Sequence, residues 1–299
     1  MKIPVILGPT AVGKTGILTQ LGNDFEVVSC DSRQIYKYMN IGTAKPTEEE
    51  RKSIKHHLID FVEPDQYYNA YIYRQDALRV IKDILNRGKI PIVSGGTGLY
   101  FDAIYKGFFE SPGSLTLRSY LRKLETAQPG IIREILKDVD PESYLRIHQN
   151  DLKRSIRALE IYIVSGKRMS DLIKNHKTES PYEFNIIILD RERKELHERI
   201  NLRVETMLKN GLIDEVKSLL NMGYNKNLNS LNTIGYKEVL EYIEGKYDYD
   251  KMVHYIKRNT RRYARRQIIY FRGYENATWI NLTEEKKPVK KIKEIIFDI

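Results

Sequence analysis

Residues Gly8-Pro9-Thr10-Ala11-Val12-Gly13-Lys14-Thr15 follow directly on the apolar run Ile3–Leu7 and fit the pattern G-x-x-x-x-G-K-[ST]. Glycines let such a loop curl so that several N–H groups point at one anion. Lys14 adds a positive charge, Thr15 offers a hydroxyl to a magnesium ion, and the helix that follows contributes its N-terminal dipole. The chemistry implied is the binding of a di- or triphosphate of the nucleotide or ATP type. The loop does not decide whether the phosphate is transferred, hydrolysed or expelled as a leaving group.

A second cluster, Ser29-Cys30-Asp31-Ser32-Arg33-Gln34-Ile35-Tyr36, follows another apolar run and so falls at the carboxyl edge of a sheet, where open α/β folds bind ligands. Asp31 there suits a general base, a water-mediated metal ligand or a helix cap. Cys30 reads as a small buried residue rather than a nucleophile. A third cluster, Ser94-Gly95-Gly96-Thr97-Gly98-Leu99-Tyr100, reads as a second wall of the same pocket or as a tight turn. Its strand does not end in the acid expected of a nucleotide hydrolase.

The stretch Lys257-Arg258-Asn259-Thr260-Arg261-Arg262-Tyr263-Ala264-Arg265-Arg266-Gln267 contains six basic residues and no acid. On a helix these fall within about half the circumference, with Ile256, Thr260, Tyr263 and Gln267 on the remainder. Such a face suits a nucleic-acid backbone. Lys153-Arg154-Ser155-Ile156-Arg157 is a second basic cluster. Arg193, Arg199 and Arg203 are interleaved with acids, which favours intrahelical pairs. His56, His57, His148, His176, His197 and His254 show no metal-ligand spacing.

The elements that must position these residues are legible in outline. Strands are expected at Ile3–Leu7, Glu26–Cys30, Ile90–Ser94 and Phe184–Leu189, with helices between them, which indicates a parallel sheet flanked by helices. Pro4 and Pro91 are tolerated near strand starts. Helices are expected from Lys14, near Arg74 (stopping before Gly88), from Asn150-Asp151 to Val164, and at Lys194–Asn210, Leu212–Asn221, Tyr236–Glu244 and Tyr249–Phe271. Between 113 and 181 strand-like runs vanish. The expected fold is therefore an α/β P-loop core over 1–112 and 182–299, with an inserted all-helical subdomain over 113–181.

The chain has 299 residues, 41% hydrophobic and 30% charged, with a net charge of +10, so anionic partners are expected. A single cysteine excludes an internal disulfide framework and a cysteine-based zinc site. No signal peptide or membrane span is expected, and a cytoplasmic location follows. No segment demands a protein partner, so a monomer is expected.

Together these motifs resemble the bacterial tRNA dimethylallyltransferases, or tRNA isopentenyltransferases. The resemblance runs through Gly8–Thr15, Asp31–Tyr36, Met39–Pro46, His56–Asp60, Gly95–Tyr100, Asn150-Asp151 with Arg154 and Arg157–Glu160, Leu196–Asn201, Ile234–Glu238 and Arg266-Gln267. Asn40 stands where the family usually has aspartate, and Tyr68 where a serine is common. The resemblance implies transfer of a dimethylallyl group from its diphosphate to N6 of the adenosine 3′-adjacent to a tRNA anticodon, with Mg²⁺ as cofactor and Thr15 as its ligand. It implies Asp31 as base, with Thr97 and Lys14 also catalytic. The diphosphate would be held by Gly8, Pro9, Thr10, Ala11, Val12, Gly13, Lys14, Thr15, Arg193 and Arg199.

By the same resemblance, tRNA would be contacted by Asp31, Ser32, Arg33, Gln34, Thr97, Arg118, Lys153, Arg154, Ser155, Ile156 and Arg157. Further contacts would come from Asn232, Thr233, Ile234, Gly235, Tyr236, Lys237, Arg265, Arg266, Gln267, Ile268, Ile269, Tyr270, Phe271 and Arg272. The adenine would leave the anticodon loop for a pocket between core and insert. Three other functions fit parts of the pattern: a P-loop kinase, a prenyltransferase acting on free adenine nucleotides, and a non-catalytic RNA-binding protein.

Overall fold

The structure is a computed structural model that describes residues 2–108, 113–175 and 180–297. Residue 112, expected as a domain boundary, and His176 lie outside the described residues. The chain forms two compact units, Met1–Tyr105 with Ser180–Ile299, and Lys106–Glu179.

The first unit begins β1 (Ile3–Leu7), α1 (Lys14–Leu18), β2 (Phe25–Cys30), α2 (Glu48–Ser53), β3 (His56–His57), α3 (Ala70–Asn86), β4 (Ile90–Gly95), α4 (Gly98–Tyr105). The second unit contains α5 (Leu115–Ala127), α6 (Ile131–Val139), α7 (Pro141–Arg146), α8 (Leu152–Ser165) and α9 (Met169–Lys174). The chain then returns through β5 (Phe184–Asp190), α10 (Arg193–Lys209), α11 (Leu212–Asn221), α12 (Tyr236–Ile243), α13 (Tyr249–Phe271), β6 (Thr278–Asn281) and α14 (Pro288–Phe297).

The six strands form one parallel sheet in the order β3-β2-β4-β1-β5-β6. Strands covered on both faces should be apolar throughout, and every residue of β1 is buried. Both strand prolines sit where only one neighbour is paired. Pro4 pairs with Asn185, whereas the ladder to β4 starts at Val5; Pro91 pairs with Glu26, whereas β4 meets β1 only from Val93. The missing proline N–H is therefore not missed by a second strand.

Two edge strands escape sequence reading. β3 is two residues long; His57 Nε2 meets Glu26 Oε2 at 2.6 Å, and His56 Nδ1 meets the Ile54 carbonyl at 2.8 Å. β6 is the four-residue Thr-Trp-Ile-Asn run that pairs with β5.

Helix limits follow local chemistry. Asp151 caps α8 by accepting from Arg154 N at 3.0 Å, and Gly166 ends it at φ 69°. Asp248 caps α13 through Lys251 N at 2.8 Å. Helix α1 is only five residues long, so its dipole is small.

Candidate active site

The loop of residues 8–13 leaves β1 at Leu7 and wraps back on itself. Gly13, at φ 112°, takes a backbone conformation that an L side chain resists. Lys14 Nζ donates to the carbonyls of Gly8 (2.8 Å) and Pro9 (3.0 Å). Burial, with Arg203 nearby, lowers its pKa to about 8. Thr10, Ala11, Gly13, Lys14 and Thr15 line a cavity of about 890 Å³. Gly8, Pro9 and Val12 are enclosed and do not line it; they shape the loop from behind.

Three arginines close on this loop. Arg191 Nε donates to Val12 O at 2.8 Å, Arg199 Nε to Ala11 O at 2.8 Å, and Arg203 Nη1 to Thr10 Oγ1 at 3.3 Å. Arg191 is paired with Glu195, but among the described residues neither Arg199 nor Arg203 is ion-paired. Burial first, and then the neighbouring guanidinium, pushes the pKa of both Arg199 and Arg203 down. Crowded positive charge of this kind is relieved by an anion.

Arg193, expected beside Arg199 at the diphosphate, is instead exposed in the first turn of α10 and does not line the cavity; Arg191 and Arg203 do. The available signal was Arg199 and Arg203 at i and i+4, like charges on one helical face.

Asp31 lines the same cavity at the end of β2. Its Oδ1 accepts from Arg33 N at 2.8 Å and Gln34 N at 3.3 Å, so one oxygen fixes the turn while the carboxylate faces the cavity. Ser32, Arg33 and Gln34 also line it, as do Asn232, Thr233, Ile234 and Gly235 before α12. Thr97 does not; its Oγ1 accepts from Ser32 N at 3.0 Å and holds the Asp31 turn from behind. Burial pushes the Cys30 thiol pKa up, consistent with an inert core residue.

Helix α13 supplies the remaining wall through Ile256, Thr260, Tyr263, Arg266 and Gln267. Gln267 is buried. Its Oε1 accepts from Thr10 N at 2.9 Å and its Nε2 donates to Gly96 O at 2.8 Å, joining the phosphate loop to the β4 turn. A Cβ at Gly96 would stand 2.3 Å from Gln267 Nε2, so the glycine admits a protein side chain rather than a ligand.

The outward face of α13 is less uniformly basic than its sequence. Arg262, Arg265 and Arg266 are exposed, but Lys257 pairs with Glu205 of α10 at 2.6 Å and Arg261 with Asn201 at 2.6 Å. The neutralising acid absent from the stretch itself comes from a neighbouring helix.

Several residues expected to face RNA have buried side chains. Gln267 holds the phosphate loop, Phe271 is fully buried, and Tyr236 donates to Glu215 at 2.5 Å. That same carboxylate accepts from the backbone of Asn40, Ile41 and Gly42, so it ties the start of α12 to the loop after Asp31. Ile268 is half-buried against the core, whereas Lys237, Ile269, Tyr270 and Arg272 are exposed. Asn40 Oδ1 accepts from Lys45 Nζ at 2.9 Å, and Tyr68 donates to Asp76 at 2.8 Å.

Within the helical unit, Ser155 and Ile156 are buried, while Lys153 and Arg154 are exposed. Arg118 and Arg157 converge on Glu160, which has no exposed surface: Arg118 Nε reaches both oxygens at 2.8 Å, Arg157 Nη1 one at 2.5 Å, and Ser114 N donates at 2.6 Å. Burial raises the carboxyl pKa, but these bonds outweigh it and hold Glu160 below the usual range.

A glycine- and lysine-bearing loop at the carboxyl end of β1, with Arg199 and Arg203 free of ion pairs among the described residues and Asp31 lining the same cavity, is an arrangement suited to a phosphorylated ligand. Residues 34–274 match the IPP transferase family, and the chain belongs to that family. It is 57% identical to the tRNA dimethylallyltransferase of Thermotoga maritima, covering 100% of this chain and 99% of that protein. It is 51% identical to the Thermosipho melanesiensis protein of the same name over the full length of both.

Among solved structures, the full-length tRNA isopentenylpyrophosphate transferase of Bacillus halodurans matches with TM-score 0.73 and 36% identity, covering 99% of this chain and 96% of that one. A eukaryotic dimethylallyltransferase acting on tRNA matches with TM-score 0.78 and 29% identity, covering 98% of this chain and 77% of that one.

Proposed function

We propose that this chain transfers the dimethylallyl group of dimethylallyl diphosphate to N6 of the adenosine 3′-adjacent to the anticodon in tRNAs, releasing diphosphate. The observation that carries this reading is that the Asp31 carboxylate and the Lys14–Arg199–Arg203 cradle line one cavity. A base and an anion site facing one space suit a displacement in which an amine attacks carbon and a diphosphate leaves.

The adenine amine is a weak nucleophile, because its lone pair is delocalised into the ring. Its electrons form the new bond to C1 of the donor. The C1–O bond breaks with its pair retained by the diphosphate, and the N6 proton passes to Asp31. Loop N–H groups, Lys14, Arg199 and Arg203 stabilise the charge that gathers on the leaving oxygen. Arg191 holds the loop through Val12 O.

The Thr15 hydroxyl, in the cavity beside the loop, would hold a magnesium ion, which would add to the neutralisation of the diphosphate. Exposed Arg262, Arg265, Arg266, Lys153 and Arg154 are basic groups suited to the RNA backbone. Among the described residues no helix is long and apolar enough to cross a membrane. A cytoplasmic monomer working on tRNA fits this reading.

Donor labelled at C1 tests it: label should pass to tRNA and not to free AMP, and γ-labelled ATP should transfer nothing. Asp31→Ala should lower transfer by about 10³-fold, within the range of a general base, while tRNA affinity in a filter-binding assay stays close to wild type. Wild-type-like turnover in that variant would remove Asp31 from the mechanism.

A further inference from the structure

Helix α10 carries Arg199, Arg203 and Met207 at successive four-residue steps, so the three share one face. The first two reach the phosphate loop. Met207 stands one turn beyond, about 6 Å along the axis from Arg203. There the cavity wall becomes apolar. Val204 and Ile256 are buried in one hydrophobic cluster, Met207 and Ile234 pack against it, and all four line the cavity. A carbon chain attached to a diphosphate at the arginines meets this patch. Four bonds at about 1.5 Å each, from the bridging oxygen through C1, C2 and C3 to a terminal methyl, carry the branched five-carbon group about 5 Å, which is one turn of α10.

Met207 also lines a second cavity, of about 690 Å³, together with Ala44, Pro46, Leu202 and Thr206. Besides Met207, the walls of both spaces share Ala11, Ala44, Lys45, Pro46, Arg199 and Arg203. Met207 therefore stands in the partition at the distance where a five-carbon chain ends. Its side chain is unbranched and partly buried, so shortening it opens one space toward the other without removing a central core residue.

We infer that Met207 sets the length of the prenyl donor: it closes the tail subsite after five carbons, and its truncation admits a ten-carbon allylic chain into the space beyond. This rests on the proposed prenyl transfer and adds to it the group that selects among allylic diphosphates.

The test compares kcat/KM for geranyl diphosphate with that for dimethylallyl diphosphate, using tRNA as acceptor. The ratio of the two is independent of how much enzyme is folded. Met207→Ala and the milder Met207→Val should each raise the ratio, Met207→Ala by at least about tenfold, the scale on which apolar pockets discriminate methylenes. Met207→Leu, which keeps the volume, should leave it within about twofold. An unchanged ratio in both shortened variants, with dimethylallyl transfer retained, would overturn the role of Met207 alone. Failure of the wild-type protein to transfer the dimethylallyl group would overturn the proposed function, and this inference with it.

Discussion

Arg199 and Arg203 in the first unit and Arg118 and Arg157 in the second are all helical arginines, yet they differ in what surrounds them. The second pair closes on the buried Glu160, whose oxygens they satisfy together with Ser114 N. The first pair donates to Ala11 O and Thr10 Oγ1 and meets no carboxylate among the described residues. One pair is a finished structural joint; the other is a positive surplus set against the loop of residues 8–13. Basic residues become binding residues when the fold denies them an internal counter-ion.

Breaking the first pair should strike chemistry. Arg203→Ala should reduce kcat/KM for dimethylallyl diphosphate by about 10²-fold, the scale of a lost anion-stabilising donor, with the unfolding midpoint little changed. Steady-state kinetics with a melting curve checks this. Breaking the second pair should strike stability. Glu160→Gln weakens a buried joint and should cost about 3 kcal/mol in urea unfolding, with kcat preserved in the folded fraction.

The depressed pKa of Glu160 gives that joint a pH sign. Its stabilisation is fully present above the unfolded carboxyl pKa and is lost as pH falls through the lower folded value. The Glu160→Gln variant should therefore lose less stability than wild type on acidification.

Lys14 sharpens the contrast from the other side. With a pKa lowered to about 8, it loses its proton as pH rises through that value. Diphosphate affinity, followed by calorimetry, should fall up to about tenfold between pH 7 and 9, while a Lys14→Met variant should show a flatter profile. The smallest effect is expected at the rim. Arg262→Ala with Arg266→Ala should lower the salt slope of tRNA binding by about two, one per lost phosphate contact, with little change in kcat at saturating tRNA.

Much of the core was readable because its signals are local. The phosphate loop, β1 and the limits of α11 and α13 depend on residues adjacent in the chain. The inward face of α13 was also legible, since period alone sets Ile256, Thr260, Tyr263 and Gln267 apart from the arginines. What local pattern could not reach were partnerships across the fold. Gln267 bonds to Thr10, and Arg203 to the same residue, over separations that no spacing rule covers. Tyr236 and Gln267 carry a family signature yet act as braces, because a motif records which residues go together and not which way they point. β3 and β6 were missed because two and four residues are too few to show a period.

Nucleoside mass spectrometry shows whether the prenyl group reaches N6 of that adenosine. Unmodified tRNA is incubated with the protein and dimethylallyl diphosphate, digested, and the modified base located. One dimethylallyl group is expected on N6 of the adenosine 3′ to the anticodon, with one diphosphate released per group added. Unmodified adenosine there, or the group on another atom while diphosphate is still released, would contradict it.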